Sequence, residues 1–303
     1  MVARPDWHLH ASGRKDRRVL EPVSSRIAAG PVQLAVHEWG GDGPPVLLAH
    51  PTGFHGVVWA PVAERLIARG RTVFSFDFRG HGDSDAPDSD YSWHGFGDDV
   101  LAVTDHFGLR GEPSLLAAGH SKGGAALVLG ELKEPGTYAR LWLYEPIMFP
   151  SLEVLPPHED FFLARAARKR RNEWPSKEAA YEAYAAKPPL DVMTPESLHA
   201  YVDYGLRDRG DGVFELKCRP DVEAQVYTMG PNHGAFVHLP DLQPPALVVA
   251  GETTQSIPPD LARQIAERMA HGSVEVMPGV GHFGPQENPD AAVESMLRFA
   301  PTR

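Results

Sequence analysis

Two short stretches of this chain are apolar at every position, Val46-Leu47-Leu48-Ala49 and Ala246-Leu247-Val248-Val249-Ala250. A strand with one wet face alternates apolar and polar side chains. A short run with no polar face has to be covered on both sides, as an interior strand of a parallel sheet is. Extending this reading places strands at 32–38, 46–50, 72–76, 114–118, 140–144, 246–250 and 273–277. Between them, helical spacing of apolar residues predicts helices at 59–68, 97–107, 123–132, 259–269 and 290–299. Strands alternating with helices require right-handed crossovers, so the fold class is α/β, with a doubly wound, mostly parallel sheet.

The alternation stops at about Pro150 and resumes at about Pro240. The stretch between is rich in Ala, Glu, Arg and aromatic residues and broken by prolines, and no strand with a buried pattern stands out in it. It reads as short helices inserted between two strands. Residues 150–239 are therefore expected to form a helical lid over a core made of 23–149 and 240–303, with 1–22 as an N-terminal extension. A lid over the carboxyl edge of the sheet would roof the crevice in which α/β proteins bind ligands.

The 29 basic and 40 acidic residues give a formal charge of −11, which disfavours nucleic-acid binding, since phosphate neutralisation needs a basic face. Against that trend, Arg165, Arg168, Lys169, Arg170 and Arg171 place five cations within seven residues, and a solvated helix face is favoured over an anion site. The single cysteine, Cys218, permits neither an intrachain disulfide nor a Cys-based metal cluster, so no metal and no cofactor is expected. The first eighteen residues lack the apolar stretch of a secretory signal, and no run is long enough to span a membrane. The expectation is a reduced, cytoplasmic protein that meets a small-molecule substrate and neither nucleic acid nor membrane. A homodimer is the assembly left open. The abundance of Arg, Ala, Gly and Pro suits a bacterial source with a GC-rich genome.

Chemistry is carried by Gly119-His120-Ser121-Lys122-Gly123-Gly124, which follows one predicted strand and opens the next helix. In G-x-S-x-G the serine occupies a strained turn, and the flanking glycines let neighbouring backbone approach where a Cβ would clash. Such a serine stands above the sheet at a helix N-terminus, where developing negative charge is favoured. A hydroxyl needs a base to act as a nucleophile at neutral pH. Of the 15 histidines, His282 in Gly279-Val280-Gly281-His282 lies between the last strand and the last helix, on a loop that can reach the serine. His50, His81 and His120 are read as structural, and His233 as a weaker rival.

Leu48-Ala49-His50, the turn Asp77-Phe78-Arg79-Gly80-His81-Gly82-Asp83-Ser84, the Ser121 elbow and Gly281-His282 together resemble the α/β-hydrolase superfamily over roughly residues 23–300. The resemblance implies an α/β-hydrolase fold and an oxyanion hole formed by the backbone N–H groups of Lys122 and Thr52. It also implies a carboxylate partner for His282. Many relatives carry an Asp three residues after the glycine ending the seventh strand, but here Thr254 occupies that place. Others carry the acid after the sixth strand, where this chain has Glu145. Glu145 is the favoured acid, with Glu252 as the alternative. Asp77, Asp98, Asp99 and Arg79 are read as structural.

A Ser nucleophile argues against the dehalogenases and epoxide hydrolases of this superfamily, which use a carboxylate. Acyl chemistry follows. The expected activity is that of a serine hydrolase cleaving a small hydrophobic or aromatic carboxylic ester or lactone through an acyl-enzyme. Trp93, Phe149 and Phe236 are singled out as substrate-binding residues from the aromatic set in and around the insertion. The alternatives are C–C bond hydrolysis or acyl transfer by the same triad, or a non-catalytic ligand-binding protein of this fold.

Overall fold

A computed structural model describes residues 20–89, 91–150, 161–230 and 233–300. Most of the extension, residues 1–19, and the start of the insertion, residues 151–160, lie outside the described residues. The main sheet has eight strands in the order β1-β2-β4-β3-β5-β6-β10-β11. These are β1 (Val23–Ala29), β2 (Val32–Gly40), β3 (Pro45–Ala49), β4 (Thr72–Phe76), β5 (Leu116–His120), β6 (Arg140–Tyr144), β10 (Ala246–Gly251) and β11 (Gly272–Met277). β1 runs antiparallel to β2 and β2 antiparallel to β4; every other neighbouring pair is parallel. β3, β5 and β10 are covered on both faces, as their uninterrupted apolar sequence requires.

The helices α1 (Ala60–Ala68), α2 (Trp93–His106) and α3 (Lys122–Lys133) belong to the first half of this sheet. The second half carries α9 (Pro259–Arg268), α10 (Gly284–Glu287) and α11 (Pro289–Phe299). They divide the core between the two faces of the sheet. On one side Phe76, Phe78, Phe96, Leu127 and Val248 are buried together, and on the other Trp59, Leu66, Trp142, Val249 and Met296. α2 begins four residues before its predicted start because the Ser92 hydroxyl accepts the Gly95 N–H at 3.0 Å, a side-chain cap that apolar spacing alone does not register. β1 carries no apolar run or alternation that marks a strand in the sequence, because all but Ile27 and Ala29 are exposed, as expected of an edge strand.

Between β6 and β10 lie α4 (Phe162–Arg168), α5 (Lys177–Ala185), α6 (Pro195–Gly205), α7 (Pro220–Thr228) and α8 (Ala235–His238). The same segment holds a three-stranded antiparallel sheet made from β7 (Glu173–Trp174), β8 (Leu206–Asp208) and β9 (Phe214–Leu216). This sheet departs from the purely helical expectation. Its strands are two or three residues long, too short to display a period of two.

Candidate active site

The nucleophile elbow is built by close backbone approach. A Cβ at Gly123 would lie 2.3 Å from the Ala49 carbonyl oxygen, and one at Gly119 would lie 2.6 Å from the Gly124 nitrogen. Only glycine fits either place, and the turn thereby brings α3 directly against the end of β3. Ser121 takes φ 55°, and its N–H donates to the Tyr144 carbonyl at 2.8 Å. Among the described residues, the two non-glycine positions with positive φ are Ser121 and Glu145 (φ 43°). Strain of this kind persists only where surrounding contacts enforce it, and it clusters at functional sites.

Glu145 follows β6 and is fully buried. Its N–H donates to the Val249 carbonyl at 2.8 Å, and its Oε1 accepts the Gly251 N–H at 3.0 Å, so the residue is tied to the end of the neighbouring β10. Its Oε2 accepts the Thr254 hydroxyl at 2.9 Å and lies 2.6 Å from Nδ1 of His282. A buried carboxylate is tolerable only when its oxygens are satisfied, and these contacts do so. Glu252, the alternative, points elsewhere and accepts the Gly279 N–H at 2.8 Å. The structure therefore brings Glu145, and not Glu252, to His282.

The loop bearing His282 is held from both sides. Glu287 accepts the Gly281 N–H at 2.8 Å and the Phe283 N–H at 3.0 Å, and the Tyr144 hydroxyl donates to the Gly281 carbonyl at 2.5 Å. Burial pushes the Glu287 carboxyl up and the Tyr144 phenol up. Neither residue was found from the sequence, since their roles pass through backbone atoms that no motif marks.

Ser121, His282 and Thr52 line one cavity of about 500 Å³. Lys122 is the first residue of α3, so its N–H has no partner within the helix, and the Thr52 N–H has no acceptor among the described residues. The Lys122 side chain points away into the core. Its Nζ stands 4.2 Å from the Phe78 ring centroid, 4.7 Å from that of Phe96 and 3.3 Å from His81 Nε2, and burial pushes its pKa down to about 7.

His50, His233, Asp77 and Asp99 are each held by contacts around the site. His50 Nδ1 donates to the Pro51 carbonyl at 2.8 Å, and its Nε2 accepts the Phe78 N–H at 3.0 Å. His233 lies 2.5 Å from the Ile147 carbonyl, edge-on to Trp93, and burial lowers its pKa to about 4. Asp77 accepts the Gly56 N–H at 2.6 Å and the Asp83 N–H at 2.7 Å, and Arg79 clasps Asp99 at 2.6 Å. These bonds fix the turn after β4. Cys218 is buried, and burial pushes its thiol up to about 12.

The three aromatic residues chosen as substrate contacts do not line the Ser121 cavity. Trp93 is buried at the start of α2 and donates its indole N–H to the Gly230 carbonyl at 2.9 Å. Phe236 packs on the core beneath Arg268, and Phe149 lies on the surface. Aromatic character and nearness to the insertion do not fix which way a side chain faces. Phe54, Trp174, Tyr184, Tyr201, Tyr227 and Phe283 line the cavity instead. The basic cluster, read as a solvated face, is exposed at four of its five positions, and three of the five also border the cavity. Lys169, Arg170 and Arg171 border the cavity, Lys169 and Arg171 at its exposed rim and Arg170 partly buried, while Arg165 and Arg168 are exposed and are not among the lining residues.

A profile of the Alpha/beta hydrolase family matches residues 46–295. The 2-(acetamidomethylene)succinate hydrolase of Mesorhizobium japonicum is 25% identical over 283 residues, covering 91% of this chain and 95% of that protein. A crystal structure of E-2-(acetamidomethylene)succinate hydrolase superposes with a TM-score of 0.77 at 21% identity, over 92% of this chain and 99% of the other. The enol-lactonase of Burkholderia xenovorans superposes with a TM-score of 0.68 at 21% identity, over 91% and 99%. The chain belongs to the alpha/beta hydrolase family. The relatives named here are hydrolases by name, and the eight-stranded, mostly parallel sheet is the fold they share.

Proposed function

We propose that this protein is a serine hydrolase that cleaves a small carboxylic ester or lactone through an acyl-enzyme. The observation that carries the reading is the 2.6 Å contact from Glu145 to His282, whose ring lines the same cavity as Ser121. With Nδ1–H donated to Glu145, the other imidazole nitrogen, Nε2, is left as an acceptor for the Ser121 proton. The Ser121 oxygen adds to the substrate carbonyl carbon while His282 takes the hydroxyl proton, and Glu145 stabilises the imidazolium that forms. The carbonyl oxygen, now negative, receives the N–H groups of Lys122 and Thr52. Collapse breaks the bond to the alkoxide, which leaves with the His282 proton. Water then adds to the acyl-enzyme with His282 again as base, and the acid product leaves.

The cavity suits a small molecule. Its volume of about 500 Å³ falls within the usual range for ligand pockets, roughly 300–1,000 Å³. Phe54, Leu163, Trp174 and Leu190 give it apolar surface beside the serine. Intact-mass labelling with a serine-directed fluorophosphonate tests the reading. One adduct is expected on the wild type, none on Ser121→Ala, and much slower labelling on His282→Ala. A folded wild type that takes up no label, or a Ser121→Ala variant that retains turnover of an ester, would overturn it.

A further inference from the structure

Among the described residues, the wall of the Ser121 cavity carries four cations, Lys169, Arg170, Arg171 and Lys187, and one carboxylate, Glu223; Lys169, Arg171 and Lys187 stand at its solvent-exposed rim. In a chain with eleven more acidic than basic residues, this balance runs against the whole. Elsewhere the arginines are commonly matched. Arg26 pairs with Asp85, Arg65 with Glu196 and Asp290, Arg79 with Asp99, Arg209 with Glu173 and Asp211, and Arg298 with Glu275.

Among the described residues, one of the four wall cations is paired with a carboxylate and three are not. Arg170 pairs with Glu223 and donates to the Tyr201 hydroxyl at 2.6 Å. This pair packs against the loop that carries Thr52, since a Cβ at Gly53 would lie 2.5 Å from Glu223 Oε1 and 3.4 Å from an Arg170 nitrogen. Arg170 thus serves to hold the roof on the oxyanion loop. Arg171 instead lies over Trp174, with its guanidinium carbon 4.2 Å from the ring centroid, and gives its Nε–H to the Glu173 carbonyl at 2.8 Å. Among the described residues Arg171 has no carboxylate partner, and neither has Lys169 or Lys187. A guanidinium restrained against an indole and by a backbone carbonyl still has N–H groups for a bidentate anion and loses little entropy in binding one.

We infer that this wall receives a free carboxylate of the substrate, with Arg171 as the planar contact and Lys169 and Lys187 supplying field. The inference rests on the hydrolase reading of Ser121 and narrows it. The substrate is an ester or lactone that also bears an ionised carboxyl group away from the carbonyl that Ser121 attacks, such as a half-ester of a dicarboxylic acid.

The test separates binding from catalysis. On full-length Ser121→Ala, binding of glutarate, dimethyl glutarate and inorganic phosphate is titrated by calorimetry or ligand-observed NMR at constant ionic strength. Glutarate is expected to bind at least tenfold more tightly than dimethyl glutarate. Arg171→Gln and Lys187→Gln are expected each to weaken it several-fold, while Arg263→Gln, on α9, leaves it unchanged. Equal binding of glutarate and its dimethyl ester, or no effect of Arg171→Gln, overturns the inference. Phosphate binding more tightly than glutarate overturns the carboxylate assignment in favour of a phosphorylated ligand. In the active wild type, kcat/KM for monoethyl glutarate should exceed that for diethyl glutarate at least tenfold, and Arg171→Gln should shrink that ratio. If neither ester is cleaved while glutarate still binds, the hydrolase reading fails and the carboxylate site stands.

Discussion

Nδ1 of His282 lies 2.6 Å from Oε2 of Glu145, and that same oxygen accepts the hydroxyl of Thr254 at 2.9 Å. Thr254 occupies the place, three residues after Gly251, where many relatives carry the acid. The carboxylate therefore comes from the end of β6, and the vacated position supplies a donor to it. The substitution is geometrically easy because β6 and β10 are adjacent parallel strands, paired from Ala246–Leu141 to Val249–Tyr144. Neighbouring strands lie about 4.8 Å apart, so a side chain at the end of either can reach the same histidine.

This arrangement makes the two acidic candidates separable. Glu145→Gln should lower kcat by about 10²–10⁴-fold, the range expected when an imidazole loses the carboxylate that sets its tautomer. Glu252→Gln should stay within about threefold of wild type, because among the described residues the Glu252 side chain bonds the Gly279 N–H and does not reach His282. Steady-state kinetics on a cleaved ester, with circular dichroism to confirm folding, decides between them. Comparable losses in both variants would contradict the assignment.

Thr254→Val removes a hydroxyl of the right shape without adding volume. Hydrogen bonds to charged groups contribute about 1.5–3 kcal/mol, so a fall in kcat of roughly tenfold is expected, with KM little changed. Thr254→Ser should recover most of it. If Val and Ser behave alike, the hydroxyl has no part in orienting Glu145.

Gly123→Ala tests the elbow as a packing device. The new methyl would lie 2.3 Å from the Ala49 carbonyl, so β3 and α3 must separate. Overpacking of this kind costs about 1–3 kcal/mol, and the displaced Ser121 should lose activity beyond what the stability change explains. Urea unfolding together with fluorophosphonate labelling rates measures both effects.

Lys122 carries a pH signature in stability. Burial pushes its pKa down to about 7 in the folded protein, against about 10.4 for a lysine in an unfolded chain. Between these values the unfolded state holds more protons, so this group makes stability rise with pH from about 7 to about 10. Lys122→Met keeps the backbone N–H and removes the titration. The variant should match or exceed wild type in urea midpoint at pH 7, and the wild type should gain on it as the pH is raised to 9. A difference that is flat across this range would show that Lys122 does not titrate there.

Much of the frame was legible because it is written in local periodicity. β3, β5, β6 and β10 fall within two residues of their expected bounds, since a strand buried on both faces leaves an unbroken apolar run. Ser121 and His282 were legible for a different reason: a strained turn and a tight loop need glycine at fixed offsets, and glycine is visible in the sequence. What escaped detection has no such mark. β1 is an exposed edge, the strands of the small sheet are too short for a period to show, and Glu287 and Tyr144 act on backbone atoms.

By itself, then, the sequence determined the α/β layering, the elbow at Ser121 and the short choice between Glu145 and Glu252, because each depends on residues close together in the chain. Only the tertiary structure decided which carboxylate meets His282, which aromatic side chains face the cavity and that Lys169, Arg170 and Arg171 border it. Those outcomes depend on pairs more than a hundred residues apart, such as Glu145 with His282, or on the direction a side chain leaves its helix once the roof has packed. No local pattern encodes either; packing does.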